Sequence, residues 1–131
     1  LPYQLSILAS RISRDFSKEY ISRFGLSNAE WRIIAHLSQE TENISIREIY
    51  QKVDLEKSKV SRAVSKLAKR QLLSKKVNLS DKRLVDLKLT KVGREIIDEM
   101  TEIAMDFEAR FLQKIENPGS FKNTINALLK D

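Results

Sequence analysis

Apolar positions recur along this chain with two different periods, and the changes of period mark its parts. Over residues 3–24, Leu8, Ile12, Phe16, Tyr20 and Phe24 return every fourth position, with Leu5 and Ile21 beside them. This is the stripe of an amphipathic helix, and Gly25 stops it. Ser27-Asn28-Ala29-Glu30 has the S-x-x-E form of a capping box. It predicts a second helix to about Ser38, with Trp31, Ile34 and Leu37 inside. Thr41-Glu42-Asn43 reads as a polar connection. Ser45-Ile46-Arg47-Glu48 repeats the capping-box form, and Ile46, Ile49, Tyr50 and Val53 give a short third helix its apolar face, to about Lys52. Asp54 marks a tight turn.

The stretch from Leu55 to Leu72 organises the rest. Val60, Ala63, Val64 and Leu67 fall at i, i+3, i+4 and i+7, one apolar stripe of a helix. The opposite side carries Ser58, Arg62, Ser65, Lys66 and Lys69, flanked by Lys59 and Ser61. No acid lies between Glu56 and Gln71. A solvated face normally mixes charges of both signs; this one offers only cations and short hydroxyls. Cations suit a phosphate backbone, small donors permit close approach, and an arginine can fork onto a base edge. An ordinary basic surface helix is the plainer reading of this stretch alone.

After it the period falls to two. Leu73, Lys75, Val77 and Leu79 alternate with polar residues, and so do Val85, Leu87 and Leu89. Two strands with one buried face are predicted, the apolar residues anchoring a hairpin with Ser80-Asp81-Lys82-Arg83 at its tip. A cationic helix preceded by a short helix and followed by a hairpin is a winged helix-turn-helix. Thr90 is placed to cap a long helix from Lys91 to about Ile115, striped by Ile96, Met100, Ile103, Phe107, Phe111 and Ile115. Asn117-Pro118-Gly119 breaks it, and Ser120 is placed to cap a last helix with Phe121, Ile125, Leu128 and Leu129.

The predicted fold is therefore mainly α with a small two- to three-stranded β wing. A helix-turn-helix lobe spans residues 26–90, with dimerisation helices at 1–25 and 91–131. The terminal stripes carry more apolar surface than such a lobe can cover. A second copy of the chain is the expected partner, through Leu8, Ile12, Phe107, Phe111, Ile125 and Leu128. Folding back of the terminal helices onto their own subunit is the alternative.

Charge sharpens the picture. The net charge of +6 is unevenly spread: Ser45 to Arg94 holds 15 Lys/Arg against 5 Asp/Glu, the remainder 9 against 13. A basic block flanked by mildly acidic arms points to a polyanion, nucleic acid first. The candidate DNA-binding residues are Ser45, Lys57, Ser58, Lys59, Ser61, Arg62, Ser65, Lys66 and Lys69, with Lys82 and Arg83 on the wing. Asp81 is the odd acid at that tip, assigned to shaping it. Duplex DNA is favoured over RNA, whose A-form major groove is closed to side chains. A winged helix used for protein or RNA contacts is the alternative.

Other chemistry finds little footing. The chain has no cysteine, so disulfides, zinc fingers and thiol sensing are not available to it. His36 is the single histidine and lies in an apolar helix, where a packed residue is expected. The only glycines, Gly25, Gly93 and Gly119, form no phosphate loop. Glu95, Asp98, Glu99 and Glu102 cluster on the long helix, and a solvated face explains them. No catalytic residue, metal site or cofactor is predicted. No apolar run reaches membrane-spanning length, and no secretion signal opens the chain, so the cytoplasm is expected. The opening at Leu1 rather than Met leaves open residues before it.

At the wing the chain resembles the MarR-type bacterial transcription regulators. The residues that carry the resemblance are Asp81-Lys82-Arg83 followed by Leu87-Lys88-Leu89-Thr90, similar to the family's Asp-x-Arg tip and Leu-Thr strand end. Lys57-Ser58-Lys59-Val60-Ser61-Arg62 resembles the start of its recognition helix, and the helix order matches over essentially the whole chain. The resemblance implies a triangular homodimer on a near-palindromic operator, with recognition helices in major grooves and wings in minor grooves. It also implies repression, often relieved by a small anionic aromatic effector. Arg11, Arg14 and Trp31 are candidates for an anion pocket, or equally surface and core residues. Two positions depart from the family pattern: Asp54 and Gln71 stand where glycine is frequent. Asp tolerates left-handed backbone, whereas Gln does not, so a different exit from the recognition helix is expected at Gln71.

Overall fold

The structure, a computed structural model, describes residues 1–40 and 43–130. Thr41 and Glu42 of the expected polar connection lie outside the described residues. Among the described residues, six helices and three strands follow in the order α1 (Pro2–Phe24), α2 (Asn28–Ser38), β1 (Ile44–Ser45), α3 (Ile46–Lys52), α4 (Lys57–Lys69), β2 (Leu73–Val77), β3 (Val85–Leu89), α5 (Lys91–Leu112) and α6 (Pro118–Leu129). The chain divides into two compact units, one to Met100 and one from Thr101 onward.

In the first unit the capping signals act as their residue types require. Ser27 Oγ accepts from Glu30 N at 3.1 Å and Glu30 Oε1 accepts from Ser27 N at 3.2 Å, a complete capping box. Ser45 Oγ accepts from Glu48 N at 3.3 Å, but Glu48 turns its carboxylate to the Ser45 hydroxyl rather than to its backbone. Gly25 closes α1 with φ of 65°, and Gly25 N and Leu26 N donate back to Ile21 O and Tyr20 O. The core gathers Ile33, Ile34 and Leu37 of α2, Ile49 of α3, the α4 stripe, Leu72 of the turn after it, and Leu73, Leu87 and Leu89 of the hairpin. Tyr20 joins it from α1, stacked on Trp31 with Phe16 edge-on to both. Burial raises the Tyr20 phenol above its ordinary pKa, against the lowering effect of nearby Arg32.

The wing is three-stranded. β3 is central, antiparallel to β1 (Ile44 opposite Leu87) and to β2 (Leu73 opposite Leu89, Val77 opposite Val85). The predicted buried face of β2 fails beyond its first residue. Leu73 is buried, but Val77 is 55% exposed and Leu79, past the strand end, 88% exposed, so neither anchors the hairpin. The physical reason is position: β2 is an edge strand, and beyond Leu73 it runs out past the core, so its alternation has nothing to pack on. Leu87 and Leu89 of the central strand do the anchoring.

The cationic helix α4 is also shorter than its pattern. Leu55 and Leu72 lie in the flanking turns, and the end at Lys69 is a Schellman closure: Leu72 N donates to Leu67 O and Gln71 N to Ala68 O, both at 3.0 Å. The closure needs left-handed backbone at Gln71, and Gln71 adopts it with φ of 62°, as Asp54 does with φ of 52°. The expected change of exit does not occur. Gln71 bears a strain of about 1–2 kcal/mol that glycine would not, and its surroundings impose it. Thr90 Oγ1 donates to Gln71 O at 2.6 Å, Thr90 N donates to Leu72 O at 3.1 Å, and the same hydroxyl accepts from Gly93 N at 3.1 Å as the cap of α5. A Cβ at Gly93 would overlap the Leu72 carbonyl oxygen.

In the second unit, α5 ends at Leu112, short of the predicted Ile115, through turn bonds from Lys114 N and Ile115 N. The cap of α6 is Asn117, whose Oδ1 accepts from Ser120 N at 3.2 Å, and Pro118 begins the helix rather than only breaking the previous one. Phe111 and Phe121 meet at 6.2 Å between ring centres, and Lys122 Nζ reaches Glu108 Oε1 at 3.0 Å. No residue of α6 is buried within the single chain.

Candidate nucleic-acid interface

α4 exists as a two-faced helix because its stripe is captured. Val60, Ala63, Val64 and Leu67 are all at most 4% exposed, packed toward α2 and the hairpin. At about 1.5–3 kcal/mol for each large side chain, this burial fixes the rotation of the helix. The other face is then set: Lys57, Ser58, Lys59, Arg62, Ser65, Lys66 and Lys69 are all exposed. Lys59, Arg62 and Lys66 border a groove of about 200 Å³ that runs to Ala29 and Glu30 at the start of α2. Arg62 lies back along its own helix, Nε donating to Ser58 O at 3.3 Å.

Two of the predicted residues are engaged inside the protein. Ser61 is half-buried and its Oγ is 2.7 Å from the Tyr50 hydroxyl. Ser45 is 6% exposed, and its hydroxyl caps α3. Lys57 Nζ stands 5.8 Å from the centre of the Tyr50 ring, a cation–π contact at the start of α4.

At the wing tip, Asp81 and Arg83 form a forked pair. Nε reaches Oδ1 and Nη2 reaches Oδ2, each at 3.0 Å, and Arg83 N donates to Oδ1 at 3.1 Å. The Arg83 side-chain bonds, then its backbone N–H, hold the Asp81 carboxyl below its ordinary pKa, with a smaller contribution from Arg47. Arg83 is 83% exposed and Lys82 is exposed, so both cations stand in solvent.

Sequence reading missed Arg70. It continues the cationic pattern of α4, yet its guanidinium binds Phe24 O at 2.7 Å and Gly25 O at 3.4 Å, and lies 3.9 Å from Glu30 Oε2. It caps the carbonyl end of α1. No local signal announces this, because the partners lie more than 40 residues back. Tyr50 falls on the apolar face of α3 in the sequence pattern, which gives no sign of the Ser61 partner its hydroxyl finds. Trp31 borders a groove of about 280 Å³ with Arg32, His36 and Lys52, whereas Arg11 lines a separate one with Tyr3 and Leu8. His36 Nε2 is buried and 3.6 Å from Glu40 Oε1, too long for a hydrogen bond.

Residues 15–100 match the family model described as transcriptional regulator SarA/Rot. The chain belongs to this family of winged-helix transcriptional regulators. It is also similar, at 30% identity, to a MarR/EmrR family transcriptional regulator from Acinetobacter sp. ADP1, over 98% of this chain and 88% of that one, with a TM-score of 0.82. A MarR family regulator from Silicibacter pomeroyi matches at 27% identity, over 98% and 86%, with a TM-score of 0.80. The apo form of MarR from E. coli shares the fold at 16% identity, over 99% and 96%, with a TM-score of 0.83. No curated protein sequence matches. The MarR-type resemblance of the wing thus holds across the fold, and the family is one of regulators, not enzymes. No helix among the described residues is long and apolar enough to cross a membrane.

Proposed function

We propose that this regulator binds duplex DNA sequence-specifically as a cytoplasmic homodimer and represses transcription from a near-palindromic operator. The observation that carries the reading is the face of α4: five exposed cations and no acid, above a stripe buried to 4% or less. With its rotation set by packing, α4 suits a major groove, Arg62 exchanging the Ser58 carbonyl for a base edge and Lys57, Lys59, Lys66 and Lys69 meeting phosphates. Ser58 and Ser65 permit close approach. Arg83, held out on a thin hairpin, suits the minor groove, where narrow A·T-rich stretches concentrate negative potential.

The homodimer reading is supported by apolar side chains left in solvent on the single chain. Leu5 is 53% and Leu8 42% exposed on α1; Ile125 is 40% and Leu128 74% exposed on α6. Ile12, Phe107 and Phe111 are half-exposed. An effector of small anionic aromatic type would find a stacking ring in Trp31 and cations in Arg32 and Lys52 beside it.

Selection of bound sequences from a random duplex pool tests the whole reading. It should return inverted half-sites about 10 bp apart, one helical turn. Recovery of no consensus would overturn sequence-specific binding, and a lone half-site would overturn the dimer. Sedimentation gives the second check: Leu8→Glu and Leu128→Glu should each yield monomer with weakened binding.

A further inference from the structure

The wing carries two acids, Asp81 and Asp86, on an element read above as approaching a polyanion. Each is held by an internal partner. Arg83 holds Asp81; the partner of Asp86 is Asn78, the residue after β2. Asn78 Nδ2 donates to Asp86 Oδ2 at 2.9 Å and lies 3.2 Å from Oδ1. The other end of the same carboxamide, Oδ1, accepts from Ser80 N and Asp81 N, both at 2.9 Å. The backbone completes the frame, Asn78 N donating to Leu84 O and Leu84 N to Asp81 O, each at 3.0 Å.

One half-buried side chain therefore links the central strand to the two residues from which the tip departs. The chemistry needs an amide. A carboxylate at 78 would accept the two N–H groups but repel Asp86; an apolar side chain would do neither. The register puts Asp86 opposite Lys76, on the strand pair rather than on the tip, so Asn78 works from a fixed base. The direction of the Asp81 backbone sets where the forked Asp81–Arg83 pair points.

We infer that Asn78 is the positioning residue of the wing tip: by clamping the Asp81 backbone to Asp86, it aims Arg83 and so sets the discrimination between A·T-rich and G·C-rich flanks. The inference rests on the minor-groove reading of the wing above. Asn78 acts through Asp81 and Arg83, not by touching DNA.

Two measurements on the full chain test it. The first needs no DNA. In ¹⁵N spectra, the Arg83 Nε–H should be slow to exchange in the wild type and in Lys82→Ala, and fast in Asn78→Ala. The second is binding by anisotropy to two duplexes that differ only in A·T or G·C flanks. Asn78→Ala should cut the flank ratio by roughly fivefold, the equivalent of one net hydrogen bond, while the protein stays folded and affinity for the G·C-flanked duplex holds. Asn78→Asp should cut the ratio likewise, its added charge weakening binding to both duplexes, and the swap Asn78→Asp with Asp86→Asn, which keeps the net charge and restores an amide–carboxylate pair, should recover the wild-type ratio. A folded Asn78→Ala that keeps the wild-type ratio and a slow Arg83 Nε–H overturns the inference, as does an equal loss on both duplexes or a swap without recovery. Arg83→Ala separates the two levels: if it abolishes the ratio while Asn78→Ala does not, only the inference fails. If the wild type has no flank preference at all, the minor-groove reading fails, and the inference with it.

Discussion

The hydroxyls of Tyr50 on α3 and Ser61 on α4 stand 2.7 Å apart and tie the last turn of α3 to the second turn of α4. Tyr50→Phe removes this bond and leaves the rings and the Lys57 contact in place. Urea unfolding should show a loss of about 0.5–1.5 kcal/mol, the net worth of one hydrogen bond. An unchanged midpoint would mean that water replaces the Tyr50 hydroxyl without cost.

Arg62 and Lys69 share the exposed face of α4 but should play different parts. Arg62→Ala is expected to cost roughly 1–3 kcal/mol of binding and to relax preference at one base position per half-site. Lys69→Ala should weaken all sequences alike and flatten the salt dependence by about one unit in the log–log slope. Titrations of both variants against a panel of operator variants check this division; identical responses would refute it.

The junction of α4, β2 and α5 offers a pair of opposite glycine effects. Gln71→Gly relieves a left-handed residue and should raise stability by up to about 1 kcal/mol, less whatever the freer unfolded chain takes back. Gly93→Ala drives a Cβ into the Leu72 carbonyl and should lower stability by about 1–3 kcal/mol. Thermal or urea denaturation of the two variants reads both signs.

The Asp81–Arg83 pair should outlast ordinary carboxylates on acidification. The folded-state pKa of Asp81 lies below its ordinary 3.8. The pair's contribution is therefore complete above that value and is lost only as pH falls through the depressed one. An NMR titration of the Asp81 carboxyl should place its midpoint below 3.8, and Arg83→Ala should return it toward that value. Neutral-pH binding offers the complementary check: Asp81→Ala should weaken DNA affinity if Asp81 orients Arg83, and tighten it if the acid merely repels phosphate.

The helices, the Ser27, Ser45 and Thr90 caps and the two faces of α4 were legible in the sequence because each rests on neighbours within a turn or two, whereas the cap of α6 fell to Asn117 and not to Ser120. Ser27 and Glu30 find each other three residues apart, and the Val60, Ala63, Val64 and Leu67 stripe is a local period that needs only something apolar to face. The wing motif was legible as a pattern, Asp81 and Arg83 being two residues apart. Tertiary structure decided what locality cannot. It took Arg70 out of the cationic face to cap α1 across more than 40 residues, and it turned the Ser61 and Ser45 hydroxyls inward. It forced Gln71 into a conformation its side chain disfavours, because Thr90 and Gly93 close on that turn from the far side of the hairpin. It left Val77 and Leu79 in solvent, since alternation along a strand says which residues share a face but not whether a core lies beneath them.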